Sequence, residues 1–503
     1  MPLRLANEEK KMPSSTRTHY RATFAVLAVG VAAFALLQSL VMPALPTIRE
    51  ALDTSQSNVT WVLTAYLLSA SIFTPIMGRL GDVKGKKRMF VVALVALAVG
   101  SLLAAVAPSL AVMIIGRVVQ GIGGGVLPLA FGIIRDEYPA AEVGGAVGLI
   151  AALSAMGAGF GIVLAGPIVS TFGYEWLFWF PMIMVILAAA AAQVLVPESD
   201  EMAPGRINWG AAALLSGWLV ALLIAVSQAS SRGWGSVPIL SLLGVAIVLG
   251  SVWVLVERRS AHPLVDMNMM ASRSVWATNM VALLFGVAMY AMLGFLPAFL
   301  QTPVSAGYGF GASVTESGVM LLPNAVLMFL VGLVAGRLAQ RFGSRNVLVV
   351  GTGISFVGLL LLALAHDHAW EIYSATALTG IGFGLAFSSM SNIIVNSVRR
   401  DQTGVASGMN ANIRTIGGSI GAAVMASVVA AGAGESGTPA ESGYTNGFLV
   451  LAGAMLLAGA LGLVIPRIAR HTVGSHKEEP EVQLRHGELA MVAGGTVVGD
   501  ESE

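Results

Sequence analysis

The chain has 503 residues, 56% hydrophobic and 11% charged, with a formal net charge of +1 and no cysteine. Soluble domains carry about 25% charged residues, so this composition belongs to a polytopic membrane protein. It excludes thiolate nucleophiles, disulfide frameworks and thiolate metal sites, and the near-zero charge, spread over short turns, gives no footprint for nucleic acid.

Residues 1–22 are polar and basic, and the apolar run after them is too long for a signal-peptide core, which predicts a cytoplasmic tail and a retained first span. A hydrocarbon core of roughly 30 Å needs about 20 apolar residues per helix. On that template the first six predicted spans run from Phe24 to Ala44, Asn58 to Gly78, Phe90 to Ala107, Ala111 to Ile134, Val143 to Ser170 and Trp176 to Val196. Two more follow, from Trp209 to Gln228 and Val237 to Val256. The last six run from Val275 to Leu300, Val314 to Leu338, Val347 to His366, Glu371 to Ser397, Val405 to Ala431 and Gly447 to Val464. The resulting fold class is an all-α membrane protein of fourteen spans, with a polar, disordered cytoplasmic tail expected over 467–503.

The chain repeats itself. GRLGDVKGKK starting at Gly78 returns as GRLAQRFGSR starting at Gly336, 258 positions later, each copy a basic, glycine-bearing hinge between two apolar runs. Gln120-Gly121-Ile122-Gly123 answers to Thr379-Gly380-Ile381-Gly382 at an offset of 259, and Gly148, Gly157 and Gly161 answer to Gly408, Gly417 and Gly421 at 260. Three agreeing registers define two six-helix halves, 23–198 and 261–466, with a loop and two inserted helices at 199–260. Of the 28 lysines and arginines, all but Arg49, Arg232, Arg117 and Arg414 fall on one side of this topology. The positive-inside rule then puts both termini in the cytoplasm.

Arg117 and Arg414 are charges inside spans, which cost at least ~3 kcal/mol unless they face protein or water. Each is expected to point into the bundle, as a coupling or anchoring group or as a structural arginine bonded to Gln38 or to backbone carbonyls. No Asp, Glu or His falls well inside a span. Arginine effectively does not titrate, so Glu316 and Asp82 are the candidate proton carriers. Gln38, Trp61, Tyr66, Asn279, Tyr290, Asn324, Asn392, Asn396 and Asn410 are the in-span polar or aromatic candidates for a cavity wall, or for bonds between neighbouring helices. Gly157, Gly161 and Ala165, with Gly417 and Gly421, are expected both to pack helices and to form a sliding contact between halves. No Walker loop and no metal-spaced cluster is present, so no enzyme, metal or cofactor is expected.

Gly78, Asp82, Gly85, Lys86 and Lys87, together with Arg117, Gln120, Gly121 and Gly123, Trp61 and Tyr66, and Ala44-Leu45-Pro46, form a set that resembles the major facilitator superfamily. With Asn412-Ile413-Arg414 before Gly417-Gly418-Ser419, the set looks like the superfamily's 14-span drug:proton antiporter branch (the EmrB/QacA type). The chain departs from that branch at Val83, where an arginine is usual, and at Leu37, where an aspartate is usual. In the fifth span, Gly161, Gly166 and Pro167 hold the antiporter motif's place, with the proline displaced.

The resemblance implies an efflux transporter of hydrophobic small molecules in the inner (plasma) membrane, alternating between two half-bundles as a monomer and driven by the proton gradient without a cofactor. It also implies that Asp82 acts as a conformational latch, with Gly336, Gln340, Gly343 and Arg345 as the repeat hinge; the alternative is an ordinary loop carboxylate balancing Lys84, Lys86 and Lys87. Arginines without carboxylates in the cavity favour neutral, zwitterionic or anionic amphiphiles over permanent cations. The rival readings are an uptake symporter or uniporter of the same fold, and a non-transporting sensor or scaffold.

Overall fold

The computed structural model describes residues 14–198, 202, 207–431 and 439–466. The predicted tails therefore lie outside the described residues, except for 14–22, which belong to the first helix. Among the described residues, fourteen helices are long and apolar enough to cross a membrane. The first six are α1 (Ser14–Ser39), α2 (Trp61–Lys84), α3 (Lys86–Ala105), α4 (Leu110–Glu137), α5 (Ala140–Phe172) and α6 (Trp176–Leu195). The inserted pair is α7 (Trp209–Arg232) and α8 (Val237–Arg259). The remainder are α9 (Arg273–Gln301), α10 (Val314–Phe342), α11 (Ser344–Leu364), α12 (Ala369–Ser397), α13 (Thr403–Ala431) and α14 (Glu441–Gly462).

The two hinges are built alike. α2 gives way to α3 at Gly85, φ 100°, and α10 gives way to α11 at Gly343, φ 84°. Both values are left-handed, where a Cβ would be strained, so glycine allows one helix to end and the next to begin within a single residue. The helices before them run further than the hydropathy predicts, to Lys84 and Phe342, which places the hinge carboxylate on a helix and not in a loop. α4 tightens to a 3₁₀ turn at Ile122–Gly125, where the glycines sit against α2 and α3: a Cβ on Gly124 would overlap Thr74, and one on Gly123 would overlap Leu97. We call the side carrying the hinges the hinge face and the opposite side the far face.

Burial orders the helices. α12 is buried over 89% of its apolar window and α8 over only 17%, so α12 is interior and α8 peripheral. The halves meet along two seams that the repeat relates to each other, α2 against α13 and α5 against α10. α7 lies on α2 and α13, and α8 packs on α7, so the inserted pair covers one of the seams.

The glycine rows divide by helix face. A Cβ on Gly157 or Gly161 would meet Ala35 or Ser39 of α1, and one on Gly417 or Gly421 would meet Leu283 or Val287 of α9. These pairs pack within a half, which corrects the expectation that they slide between halves. Gly145, Gly148 and Gly159 on α5, with Gly404 and Gly408 on α13, are among those that face the other half. Of the rest of the fifth-span motif, Gly166 lies near Thr315 and Pro167 is carried inside a continuous helix.

Candidate functional site

At the hinge face the N-terminal half grips the backbone of the turn between α12 and α13. Asp82, fully buried at the end of α2, accepts from the amides of Gly404 (3.1 Å) and Val405 (2.9 Å) in the first turn of α13. Those donors have no partner within their own helix, and the helix dipole favours a negative charge there. Lys86, also fully buried, donates to both carboxylate oxygens of Asp136 (2.9 and 2.7 Å) and to the carbonyl of Arg400 (3.2 Å). Arg135 donates to the carbonyls of Val398 (2.5 Å) and Arg399 (3.3 Å) and to Thr403 Oγ1 (2.7 Å). Beside them Gly78 lies directly on Gly404, where any Cβ would overlap the Gly404 carbonyl.

The structure separates the other motif residues. Lys87 is half-buried at the start of α3. A side chain on Gly85 would run into the Glu198 carboxylate. In the second hinge Gly336 abuts the backbone of Gly145, and Gln340 is exposed and bonded. Arg345 donates to the Leu463 carbonyl (2.7 Å), a contact within its own half.

Beyond this gate, towards the far face, the halves part around a cavity of about 220 Å³ whose walls come from α1, α2, α4, α5, α9, α10, α12 and α13. Of the nine predicted wall residues, Gln38, Tyr66, Tyr290 and Asn324 line it. The other five do not line it. Trp61 stands at the far end of α2, 37% exposed. Asn410 donates to Asn279 Oδ1 (2.9 Å), a bond between α13 and α9 within one half. Asn396 donates back to the Asn392 carbonyl (2.8 Å). Asn392 is buried in the shut interface near Gly144.

The two arginines have different placements. Arg414 lines the cavity, its guanidinium 4.4 Å from the Phe387 ring centroid and near Tyr290, which lines the same cavity. Arg117 does not line it. It sits behind Tyr66, 4.2 Å from that ring centroid, donating to the Val62 carbonyl (2.9 Å) and to Gln120 Oε1 (2.6 Å), while Gln120 donates on to Ser101 (2.8 Å). Arg117 is thus bonded within the N-terminal half, with Nη2 buried and unpartnered and no bond to Gln38 among those described. Arg414 is then the charged side chain on the cavity wall.

Glu316, the other candidate proton carrier, lies at a helix end on the surface. It is exposed in the first turn of α10, where it forms a capping box with Ser313: Oε2 accepts from the Ser313 amide (2.8 Å) while the Glu316 amide donates to Ser313 Oγ (3.2 Å). The helix end uses that carboxylate, and it borders neither the cavity nor the gate.

Asn412 is the cavity residue that the sequence analysis missed. It is 1% exposed and lines the cavity, and neither of its amide atoms has a hydrogen-bond partner among the described residues. Tyr66 Oη and Ser71 Oγ, on the opposite wall, are unpartnered in the same way. A buried amide left without partners costs about 1–3 kcal/mol, which a ligand carrying a donor and an acceptor would offset. The signal was in the register: Gly404, Gly408 and Asn412 are four apart, one stripe on α13, and the first two face the other half.

Sequence comparison agrees with this architecture. The Major Facilitator Superfamily matches over residues 27–422 and again over 283–496. Similar proteins include the tetracenomycin C resistance and export protein of Streptomyces glaucescens, 29% identical over 82% of this chain and 76% of its own. Multidrug resistance protein 3 of Bacillus subtilis (strain 168) is 26% identical over 83% of this chain and 81% of its own. Multidrug resistance protein Stp of Mycobacterium tuberculosis is 28% identical over 81% and 75%. Among solved structures, the human organic anion transporter MFSD10 (TETRAN) superposes with a TM-score of 0.63 at 17% identity, over 90% of this chain and 100% of its own. The proton:xylose symporter XylE does so at 0.64 and 14%, over 90% and 97%. These two share the fold. With fourteen spanning helices, two repeated halves and a cavity between them, the chain belongs to the Major Facilitator Superfamily.

Proposed function

We propose that the protein exports hydrophobic small molecules across the cell membrane by alternating access, with neutral or anionic amphiphiles preferred, and that a proton gradient drives it. The observation that carries this reading is the cavity itself: largely apolar, set between the halves, and sealed on one side by a gate in which Asp82, Lys86 and Arg135 of one half bond to the backbone of the other. Basic residues concentrate at the hinge face, so that face is assigned to the cytoplasm with both termini. The gate is then shut inwards, and the cavity belongs to the outward-facing side of the cycle. The names of the resistance and export relatives support efflux over uptake, and the motif set supports the 14-span drug:proton antiporter branch.

Arg414 without a cavity carboxylate sets the charge preference. Two like charges 4 Å apart repel by roughly 4 kcal/mol at an effective dielectric of 20, so a permanent cation is disfavoured. With Glu316 on the surface, Asp82 is the carboxylate through which proton binding would reach the gate. Ionised, it accepts two amide protons; protonated, it must give one of them up. The transporter needs no cofactor and works as a monomer on this reading.

The test is substrate flux in inverted membrane vesicles with an imposed pH gradient, using an aromatic neutral compound and a quaternary ammonium dye of matched hydrophobicity. Gradient-dependent accumulation of the neutral compound, abolished by a protonophore, is expected. Accumulation that ignores the gradient would remove proton coupling, and accumulation of the dye alone would overturn the charge preference.

A further inference from the structure

A second cavity of about 290 Å³ lies beside the first, between α2, α7, α9 and α13, with Leu68, Leu223, Val226, Phe295 and Ala422 on its walls. Leu67, Tyr290 and Thr415 line both cavities, so the two are neighbours across a shared partition. We propose that this side chamber receives the hydrocarbon arm of the exported molecule while its polar end sits at Asn412 and Arg414, a proposal that rests on the export reading above.

Three observations carry it. The chambers divide by chemistry. The central one presents Arg414 and the unpartnered amide of Asn412, whereas the walls of the side chamber are mostly hydrocarbon. Tyr290 faces both ways: it lines the central cavity with Arg414, and its ring lies against Gly418, where a Cβ would overlap it, on the chamber side. The outer wall is a built one. α7 buries Leu223 and Val226 on this side and lies along both α2 and α13, and the Trp234 indole N–H in the loop after α7 donates to Ser427 Oγ of α13 (3.0 Å). α7 of the inserted pair thereby supplies the fourth wall of a pocket that twelve helices alone would leave open. An amphiphile with a polar aromatic head and an alkyl arm matches both surfaces at once.

The chain has no cysteine, so a single introduced thiol reports one place. Ser227→Cys puts it on the α7 wall and Ser71→Cys in the central cavity. The full-length protein in liposomes is treated with N-ethylmaleimide in the presence of short- and long-chain N-alkyl anthranilamides. The long-chain compound at ten times its dissociation constant should slow labelling of both thiols about tenfold, and the short-chain compound only that at Ser71→Cys. In the transport arm, Ser227→Trp or Ala422→Leu fills the chamber and should reduce export of the long-chain compound about tenfold, leaving the short-chain one at wild-type rate. Equal protection at Ser227→Cys by both compounds, or none by either, overturns the chamber. So does protection by the liposome phospholipid alone, which would make it a lipid site. If the wild type exports neither compound, the export reading fails, and the labelling arm alone decides the chamber.

Discussion

The two seams between the halves are related by the repeat and yet behave differently. Along α5 and α10 the helices stay in contact over their whole length: Gly336 against Gly145, Gly332 against Ala152, Gly159 against Ala325, and Gly318 beside Val163 towards the far face. Along α2 and α13 they touch at the hinge end, Gly78 on Gly404 and Gly408 on the Thr74 carbonyl, and then part around the two cavities. Applying the offsets of the repeat, the zipped pairs Gly332/Ala152 and Ala325/Gly159 correspond to Thr74/Asn412 and Leu67/Ser419. All four of the latter line a cavity. Small residues let backbones meet, whereas larger or polar ones at the same places hold them apart and leave a wall that a ligand can touch. The α5–α10 seam is a zipper that borders the central cavity, and the α2–α13 seam is the parted one, with α7 laid over its open edge.

The largest expected effect is at the hinge end of the open seam. Gly78→Val would drive a branched side chain into the Gly404 backbone, which cannot move away like the end of a side chain. Export should fall to background while the protein still reaches the membrane at normal abundance. Gly332→Val in the zipped seam would overlap the Ala152 Cβ, which is as fixed as backbone but lies away from the gate, and should lower abundance and not only flux. Abundance and vesicle flux measured together check this, and equal losses at the two positions would remove the asymmetry.

Next comes Asp82→Asn. It replaces one acceptor oxygen with a donor facing an amide N–H and removes the charge from the start of α13. Hydrogen bonds to charged groups contribute about 1.5–3 kcal/mol, and 1.4 kcal/mol is tenfold, so the gate-closed population should fall by one to two orders of magnitude. Cross-linking of a cysteine pair across the gate reads that population directly. Gln340→Ala, at the related place on α10, is expected to change it by less than about threefold.

Smaller still is Asn412→Ala, which leaves the gate intact and removes the unpartnered amide from the cavity wall. The apparent KM for a polar-headed substrate should rise about tenfold, as loss of one or two hydrogen bonds to a ligand implies. Thermal stability should hold or improve, because a buried unsatisfied group is gone. A fall in stability with unchanged KM would make Asn412 a packing residue.

The spans, the two halves, the inserted pair and the hinges were legible in the sequence, because hydropathy and repetition are local or periodic signals. The direction in which each residue of a span faces was not. Gly157 and Gly148 are equally conspicuous in α5, yet half a turn of register sends one to α1 and the other across the interface to Ser388. Arg117 is a buried charge in any reading, and only the placement of Tyr66 in front of it takes it off the cavity wall. The place where α7 and α8 dock is set by side-chain fit at the open seam, which no spacing within their own sequence encodes.

The smallest effect expected is at Glu316, and it is also the sharpest check on the comparison. Glu316 opens α10 at the far end of the zipped seam, exposed and occupied in a capping box with Ser313. Glutamine serves that box nearly as well as glutamate, and the lost charge–dipole attraction is about 0.3–1 kcal/mol at an exposed helix start. Glu316→Gln should therefore shift thermal stability slightly and leave both gradient-driven export and exchange at equal pH unchanged. Were it to abolish gradient-driven export while exchange persisted, the proton would be taken up at the far end of the zipped seam. That seam would then have to open during the cycle, and the assignment of one seam as zipper and the other as the parted one would be reversed.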